Sequence, residues 1–266
     1  MRIAVAATAP FGADVLNRLA TTHEISALLT RPDAPAGRGR KLTSPPAKET
    51  AEALGIPVLQ PDPLEAGLEL DAETVVVVAY GRLVPEPLLH ERLWLNVHPS
   101  LLPRWRGAAP VERALMAGDS ETGVTIIKLV KELDAGPIAA QEAFPIAAED
   151  DAGAVYDKAA ETAVSLLDGV LAVQEPTFIE QVGEPTYAAK IEGADRELDL
   201  ERPAAELVDR VRALSPHIGA RARLDGRDVT IWRARVGEDD GFEPVEVQPD
   251  GGRRMAYDAW LRGLRP

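Results

Sequence analysis

Residues 74–79 read Thr-Val-Val-Val-Val-Ala, an almost unbroken run of β-branched side chains. Such side chains lose rotamer freedom in a helix and pack well on a pleated sheet. A run with no polar alternation predicts a strand covered on both faces, the hallmark of a sheet flanked by crossover helices. The neighbouring segments agree with that frame. Ile3–Ala6, His23–Thr30 and Val58–Gln60 have strand character, while Phe11–Ala20 and Ala47–Leu54 space their apolar residues helically, the second ending at Gly55. Strands that alternate with helices predict an α/β fold with a doubly wound, mostly parallel sheet.

Further along, the pattern predicts a helix over Ala108–Ala117, a strand over Val124–Val130 and an extended partner over Ile138–Ile146. A long alanine-rich helix follows over Ala152–Val173, and Pro176–Glu201 has so little periodicity that it is expected to be a linker. A helix over Ala204–Leu214 then leads into short strands near Ala220–Leu224 and Val229–Ala234, the expected start of a small barrel-like second domain. The predicted division is 1–190 for the first domain and 191–266 for linker and second domain. At 266 residues the chain is long enough for both.

With no cysteine in the sequence, disulfides, thiolate metal sites and cysteine nucleophiles are excluded. No apolar run is long enough to span a bilayer, and the N-terminus enters a strand at once, so a soluble, cytoplasmic protein is expected. A net charge of −14 argues against nonspecific nucleic-acid binding over the whole surface. The charge is unevenly spread: residues 31–48 carry Arg31, Arg38, Arg40, Lys41 and Lys48 against Asp33 alone. The Pro- and Gly-rich stretch Arg31–Pro46 is also too long for a plain connection. It is either a solvated loop or a patch aimed at phosphate.

Chemistry concentrates at Asn96-Val97-His98-Pro99. Leu93-Trp94-Leu95 reads as a buried strand, so Asn96 and His98 project from one face of its continuation. Pro99 cannot continue the ladder. Ligands bind at the carboxyl ends of strands in such sheets. Asp134, after the next predicted strand, is expected to join the pair because neighbouring strands would bring their carboxyl ends together. An Asn, a His and an Asp suit attack of an amine on an acyl carbon. Phosphate-loop, dinucleotide, zinc-histidine and nucleophile-elbow signatures are all missing, and no metal is expected.

The segment Asn96-Val97-His98-Pro99-Ser100-Leu101-Leu102-Pro103, with Leu133-Asp134-Ala135-Gly136 downstream, resembles the folate-dependent formyltransferases. Three further segments resemble the branch of that family acting on methionyl-tRNA: Arg31–Leu42, Ala79–Pro85, and Trp105–Pro110 running on to Gly123. The resemblance covers roughly residues 1–190. It implies 10-formyltetrahydrofolate as co-substrate and methionyl initiator tRNA as acceptor. It implies Asn96, His98 and Asp134 as catalytic residues, Ser100, Leu101, Leu102 and Pro103 along the folate site, and Arg38, Arg40 and Lys41 as tRNA contacts. A monomer with no membrane partner is expected.

Two departures stand out. Where the family opens with Gly-Thr-Pro after its first strand, this chain has Ala7-Thr8-Ala9-Pro10. Ser215–Ala220 and Val247–Met255 resemble the start and close of the family's C-terminal barrel, but the stretch between Arg235 and Glu246 is too short for the usual middle strands. A shortened barrel leaves open an alternative acceptor, a small amine such as a nucleotide-linked amino sugar.

Overall fold

The computed structural model describes residues 1–36 and 41–264. Its first half alternates strand and helix: β1 (Arg2–Ala7), α1 (Pro10–Leu19), β2 (Glu24–Leu29), β3 (Ala34–Ala36), β4 (Lys41–Thr43), α2 (Pro46–Ala53), β5 (Val58–Leu59) and β6 (Thr74–Val78). Then come α3 (Glu86–Glu91), β7 (Leu93–His98), β8 (Arg106–Gly107), α4 (Pro110–Met116), β9 (Glu121–Lys128), β10 (Ile138–Pro145) and α5 (Ala152–Leu171). The remainder holds β11 (Tyr187–Ala188), α6 (Ala204–Leu214), β12 (Ala220–Leu224), β13 (Arg227–Val236), β14 (Phe242–Pro249), β15 (Met255–Ala256) and α7 (Tyr257–Leu264).

Seven strands form one sheet in the order β10-β9-β7-β6-β1-β2-β5. The pairs β1/β2, β1/β6, β2/β5 and β6/β7 are parallel. Strand order grows outward from β1 in both directions, which is the doubly wound arrangement. The valine run does what its composition predicts: every residue of β6 is buried. Helix α1 sits so close to the sheet that a Cβ on Gly12 would lie 2.5 Å from the Val78 carbonyl oxygen. Ala4, Ala6, Leu29, Val75, Val77 and Trp94 share one buried cluster. Trp94 keeps its indole N–H satisfied there by donating to the Leu88 carbonyl at 2.8 Å, as a buried polar group must.

The long basic stretch and the expected linker both carry structure. Within Arg31–Pro46, β3 and β4 pair antiparallel, Ala34 opposite Thr43 and Ala36 opposite Lys41. Arg38 and Arg40 lie outside the described residues. Within Pro176–Glu201 there is a short 3-10 turn at Ala194–Arg196 as well as β11. No helix among the described residues is long and apolar enough to cross a membrane.

The chain forms two compact units with interleaved ranges. One comprises Met1–Arg106, Gly123–Ala143 and Asp157–Pro185; the other comprises Gly107–Thr122, Phe144–Tyr156 and the chain from Thr186 onward. In the second unit a four-stranded sheet runs in the order β12-β13-β14-β15, antiparallel at each pairing. The short stretch noted after Arg235 is a hairpin: β13 reaches Val236, Gly237 donates to the Gly241 carbonyl at 2.8 Å, and β14 starts at Phe242. Val211 and Leu214 of α6 pack with Ala220, Val229, Ile231, Val247 and Trp260 to make its core.

The second unit also buries an acid. The Tyr156 hydroxyl donates to the two Glu112 carboxylate oxygens at 3.2 and 3.1 Å. Burial pushes the Glu112 carboxyl above its usual range, against the opposing pull of its own backbone amide, Tyr156 and Arg113. Burial likewise pushes the Tyr156 phenol well up. A carboxyl raised on folding adds stability that is complete below its unfolded value and lost as pH climbs through the folded one. Glu112→Gln is therefore expected to raise the melting temperature at pH 7 by about 2–4 °C, the shift that roughly 1 kcal/mol gives in a domain of this size. The gain should vanish near pH 4. A lower melting temperature at pH 7 in a thermal scan would contradict this account of the pair.

Candidate active site

Strand β7 places Asn96 and His98 two residues apart, so both point to the same side of the sheet. Their partner arrives by an unexpected route. Strand β9 runs antiparallel to β7, with His98 opposite Thr125 and Leu95 opposite Lys128. The carboxyl ends of the two strands therefore point in opposite directions, and the expectation that they would meet is incorrect. After Lys128 the chain doubles back instead. The Lys128 amide donates to the Pro137 carbonyl at 3.0 Å, closing a loop over 129–136. That loop returns Asp134 to the Asn96–His98 face with its backbone in the left-handed region, φ 49°.

The three side chains meet at short range. Asn96 Nδ2 donates to Asp134 Oδ1 over a long 3.4 Å, and His98 Nδ1 lies 3.6 Å from Asp134 Oδ2. His98 and Asp134 are only 4% and 8% exposed. His98 Nε2 is 2.8 Å from the Trp105 carbonyl oxygen. A carbonyl only accepts, so Nε2 carries a proton and Nδ1 is the nitrogen left to face Asp134.

The segment after His98 is stiffened from below. Thr125 Oγ1 donates to the Ser100 carbonyl at 2.6 Å and accepts from the Leu102 amide at 3.1 Å and from Gln141 Nε2 at 2.8 Å. A hydroxyl has one donor and two acceptor positions, so this one is fully used. Gln141 also donates to the Leu102 carbonyl at 3.0 Å. Ser100 is buried, with its hydroxyl donating to the Arg104 carbonyl at 2.6 Å, and Leu102 is buried as well. Leu101 and Pro103 are half-buried. Of the four residues expected to line a folate site, Ser100 and Leu102 thus hold the segment's shape, while Leu101 and Pro103 present surface.

Left-handed backbone gathers around this region. Ala79 follows β6 with φ 46°, and Trp105, whose carbonyl holds His98, has φ 64°. Non-glycine residues in that conformation mark strain held in place by their surroundings, commonly at functional sites. Lys41 is exposed at the start of β4. Gln181, in the stretch read as linker, donates through Nε2 to the carbonyls of Asp134 and Gly136, both at 2.8 Å. No periodicity or motif marks that glutamine in the sequence.

The doubly wound sheet carries this Asn, His and Asp at one face, and the chain belongs to the formyl transferase family. Residues 1–171 match the formyl transferase domain and residues 190–244 match the formyl transferase C-terminal domain. Its similarity to particular members is high. Over 294 residues it is 42% identical to methionyl-tRNA formyltransferase of Leifsonia xyli subsp. xyli, covering 99% of this chain and 97% of that protein. Among solved structures, methionyl-tRNA formyltransferase from Clostridium thermocellum aligns at TM-score 0.65 and 15% identity, covering 96% of this chain and 99% of that one. HypX from Aquifex aeolicus in complex with tetrahydrofolic acid aligns at TM-score 0.67 and 18% identity, covering 98% of this chain and 46% of that one. At those identities the two structures bear on the fold alone.

Proposed function

We propose that this chain moves the formyl group of 10-formyltetrahydrofolate to the α-amino group of methionyl initiator tRNA. The observation that carries the chemistry is the convergence of Asn96, His98 and Asp134 within hydrogen-bonding or ion-pairing distance. The near-complete match to methionyl-tRNA formyltransferases supports the acceptor, and the formyl transferase domain matched over residues 1–171 supports a formyl donor.

In this reading the neutral amine attacks the formyl carbon, and a C–N bond forms as the carbonyl π pair moves onto oxygen. Asn96 Nδ2–H and the His98 imidazole meet the developing oxyanion, where a well-placed donor is worth about 3 kcal/mol. Asp134 orients His98 and takes the proton that the attacking nitrogen sheds. The tetrahedral intermediate collapses by breaking the bond to N10 of tetrahydrofolate, which receives a proton in turn. Atoms and charge balance, and no covalent enzyme intermediate forms. Leu101 and Pro103 offer the apolar edge against which the folate rests. The work belongs in the cytoplasm, where charged tRNA is found.

Arg38, Arg40 and Lys41 are assigned to the acceptor end of the tRNA, which accounts for three of the five basic side chains in a stretch of a strongly acidic protein; Lys48 pairs with Asp33 at 2.8 Å. The shortened hairpin after Arg235 favours the second reading, a small amine such as a nucleotide-linked amino sugar. Charge reversal separates the two. Arg40→Glu with Lys41→Glu is expected to raise KM for methionyl-tRNA at least about tenfold at low salt and to flatten its salt dependence, since each lost phosphate contact removes roughly 0.7 from the logarithmic slope for a single strand. Equal salt slopes for both proteins would contradict the tRNA assignment.

A further inference from the structure

The Asp134 carboxylate sits on a loop in which the Ala135 amide donates to the Glu132 carbonyl over a long 3.4 Å. Asp134 sits at φ 49°, a conformation that costs an L-residue roughly 1–2 kcal/mol. Two residues on, Gly136 packs so tightly on the Lys128 carbonyl that it has no room for a Cβ. The contact joining these two positions comes from outside the loop. Gln181 Nε2 has two hydrogens, and they go to the Asp134 and Gly136 carbonyls at 2.8 Å each. Its Oε1 has two lone pairs, and they accept from Arg106 Nε at 3.1 Å and Nη2 at 2.6 Å. Every hydrogen-bonding position of this carboxamide is therefore used. Arg106 fixes which end of the amide faces the loop, because a guanidinium only donates. The backbone nearby is tied as well: the Ile138 and Ile179 amides exchange hydrogen bonds with each other's carbonyls at 2.7 and 2.9 Å.

We infer that Gln181 is a positioning residue for formyl transfer: held by Arg106, its carboxamide clamps the Asp134 and Gly136 carbonyls and so aims the Asp134 carboxylate at His98 and Asn96. The consequence for catalysis rests on the function proposed above; the consequence for geometry does not. All four hydrogen-bonding positions of Gln181 go to Arg106 and to the loop carbonyls rather than to His98 or Asn96, so its effect passes through Asp134. A misplacement of about 1 Å at a reacting group is enough to cost on the order of a hundredfold in rate.

Two substitutions and two readouts test this. Gln181→Ala removes the whole clamp, while Gln181→Glu keeps an acceptor for Arg106 but has no hydrogen for either carbonyl at neutral pH. Both are expected to lower kcat roughly ten- to a hundredfold with each KM within about threefold of wild type and the melting temperature nearly unchanged. In an Asp134→Asn background, Gln181→Ala should add less than about twofold, because residues acting as one unit are not additive. Independently of activity, the 15N resonance of His98 Nδ1 should move in Gln181→Ala toward its position in Asp134→Asn, with His98→Ala identifying the signal among the four histidines. A Gln181→Glu protein as active as wild type, a full multiplicative loss in the Asp134→Asn background, or an unmoved His98 resonance would each overturn the inference. The expected resonance shift in a protein that transfers no formyl group would uphold the clamp and defeat the proposed function instead.

Discussion

His98→Ala and Asp134→Asn are each expected to cut formyl transfer at least about a hundredfold while leaving the fold intact. The two losses have different physical origins. His98→Ala deletes the imidazole proposed to meet the oxyanion, about 3 kcal/mol of stabilisation on the usual scale for such donors, and hence about a hundredfold in rate. Asp134→Asn keeps the shape and the hydrogen-bonding size of the side chain but cannot take a proton. The loss of a general base is typically worth roughly 10²–10⁴. The amide can still offer its oxygen to Asn96, so the contact seen at 3.4 Å survives and the loop should stay folded. Asn96→Ala should cost less than either, since it removes one donor and leaves the proton chain intact. Steady-state kinetics beside thermal melting checks all three. Near-normal turnover in a folded His98→Ala or Asp134→Asn protein would remove these residues from the chemistry.

Gly136→Ala carries the second large effect, and it combines stability with activity. A Cβ at this position would overlap the Lys128 carbonyl oxygen, which belongs to the closing residue of β9, paired with Leu95 of β7, and cannot retreat without disturbing that pairing. The amide of the same residue donates to the Pro137 carbonyl, so relief must come from the loop side. Forcing extra atoms into such a contact costs about 1–3 kcal/mol, or a fall of roughly 2–4 °C in melting temperature per kcal/mol. Moving Gly136 also drags one of the two carbonyls that Gln181 holds. Activity is therefore expected to fall more than tenfold even at temperatures where the variant is fully folded. A Gly136→Ala protein that melts and turns over like wild type would show that the loop has slack this structure does not contain.

Much of this architecture could be read before any coordinates. The valine run at residues 75–78 required a strand covered on both faces, and β6 is buried along its whole length. Alternation along Leu93–His98 put Asn96 and His98 on one side, and Pro99 marked where the strand stops. The way Asp134 reaches them was not readable. Period-2 alternation shows that a strand exists, not which way it runs beside its neighbour, and β9 turned out antiparallel to β7. The return of the chain over 129–136 then depends on a close approach at Gly136 and a left-handed aspartate, and both are set by tertiary contacts. Gln181 was invisible for a related reason. Its partners are two backbone carbonyls and an arginine far away in sequence, and backbone acceptors leave no trace in residue types.

The most direct measurement of the central claim is single-turnover transfer from 10-formyltetrahydrofolate by the purified chain, offered methionyl initiator tRNA, the same tRNA uncharged, and a nucleotide-linked amino sugar in parallel. Formyl-methionyl-tRNA should form together with an equal amount of tetrahydrofolate, and neither of the other acceptors should release any. Tetrahydrofolate released with the amino sugar and not with the charged tRNA would contradict the proposed acceptor.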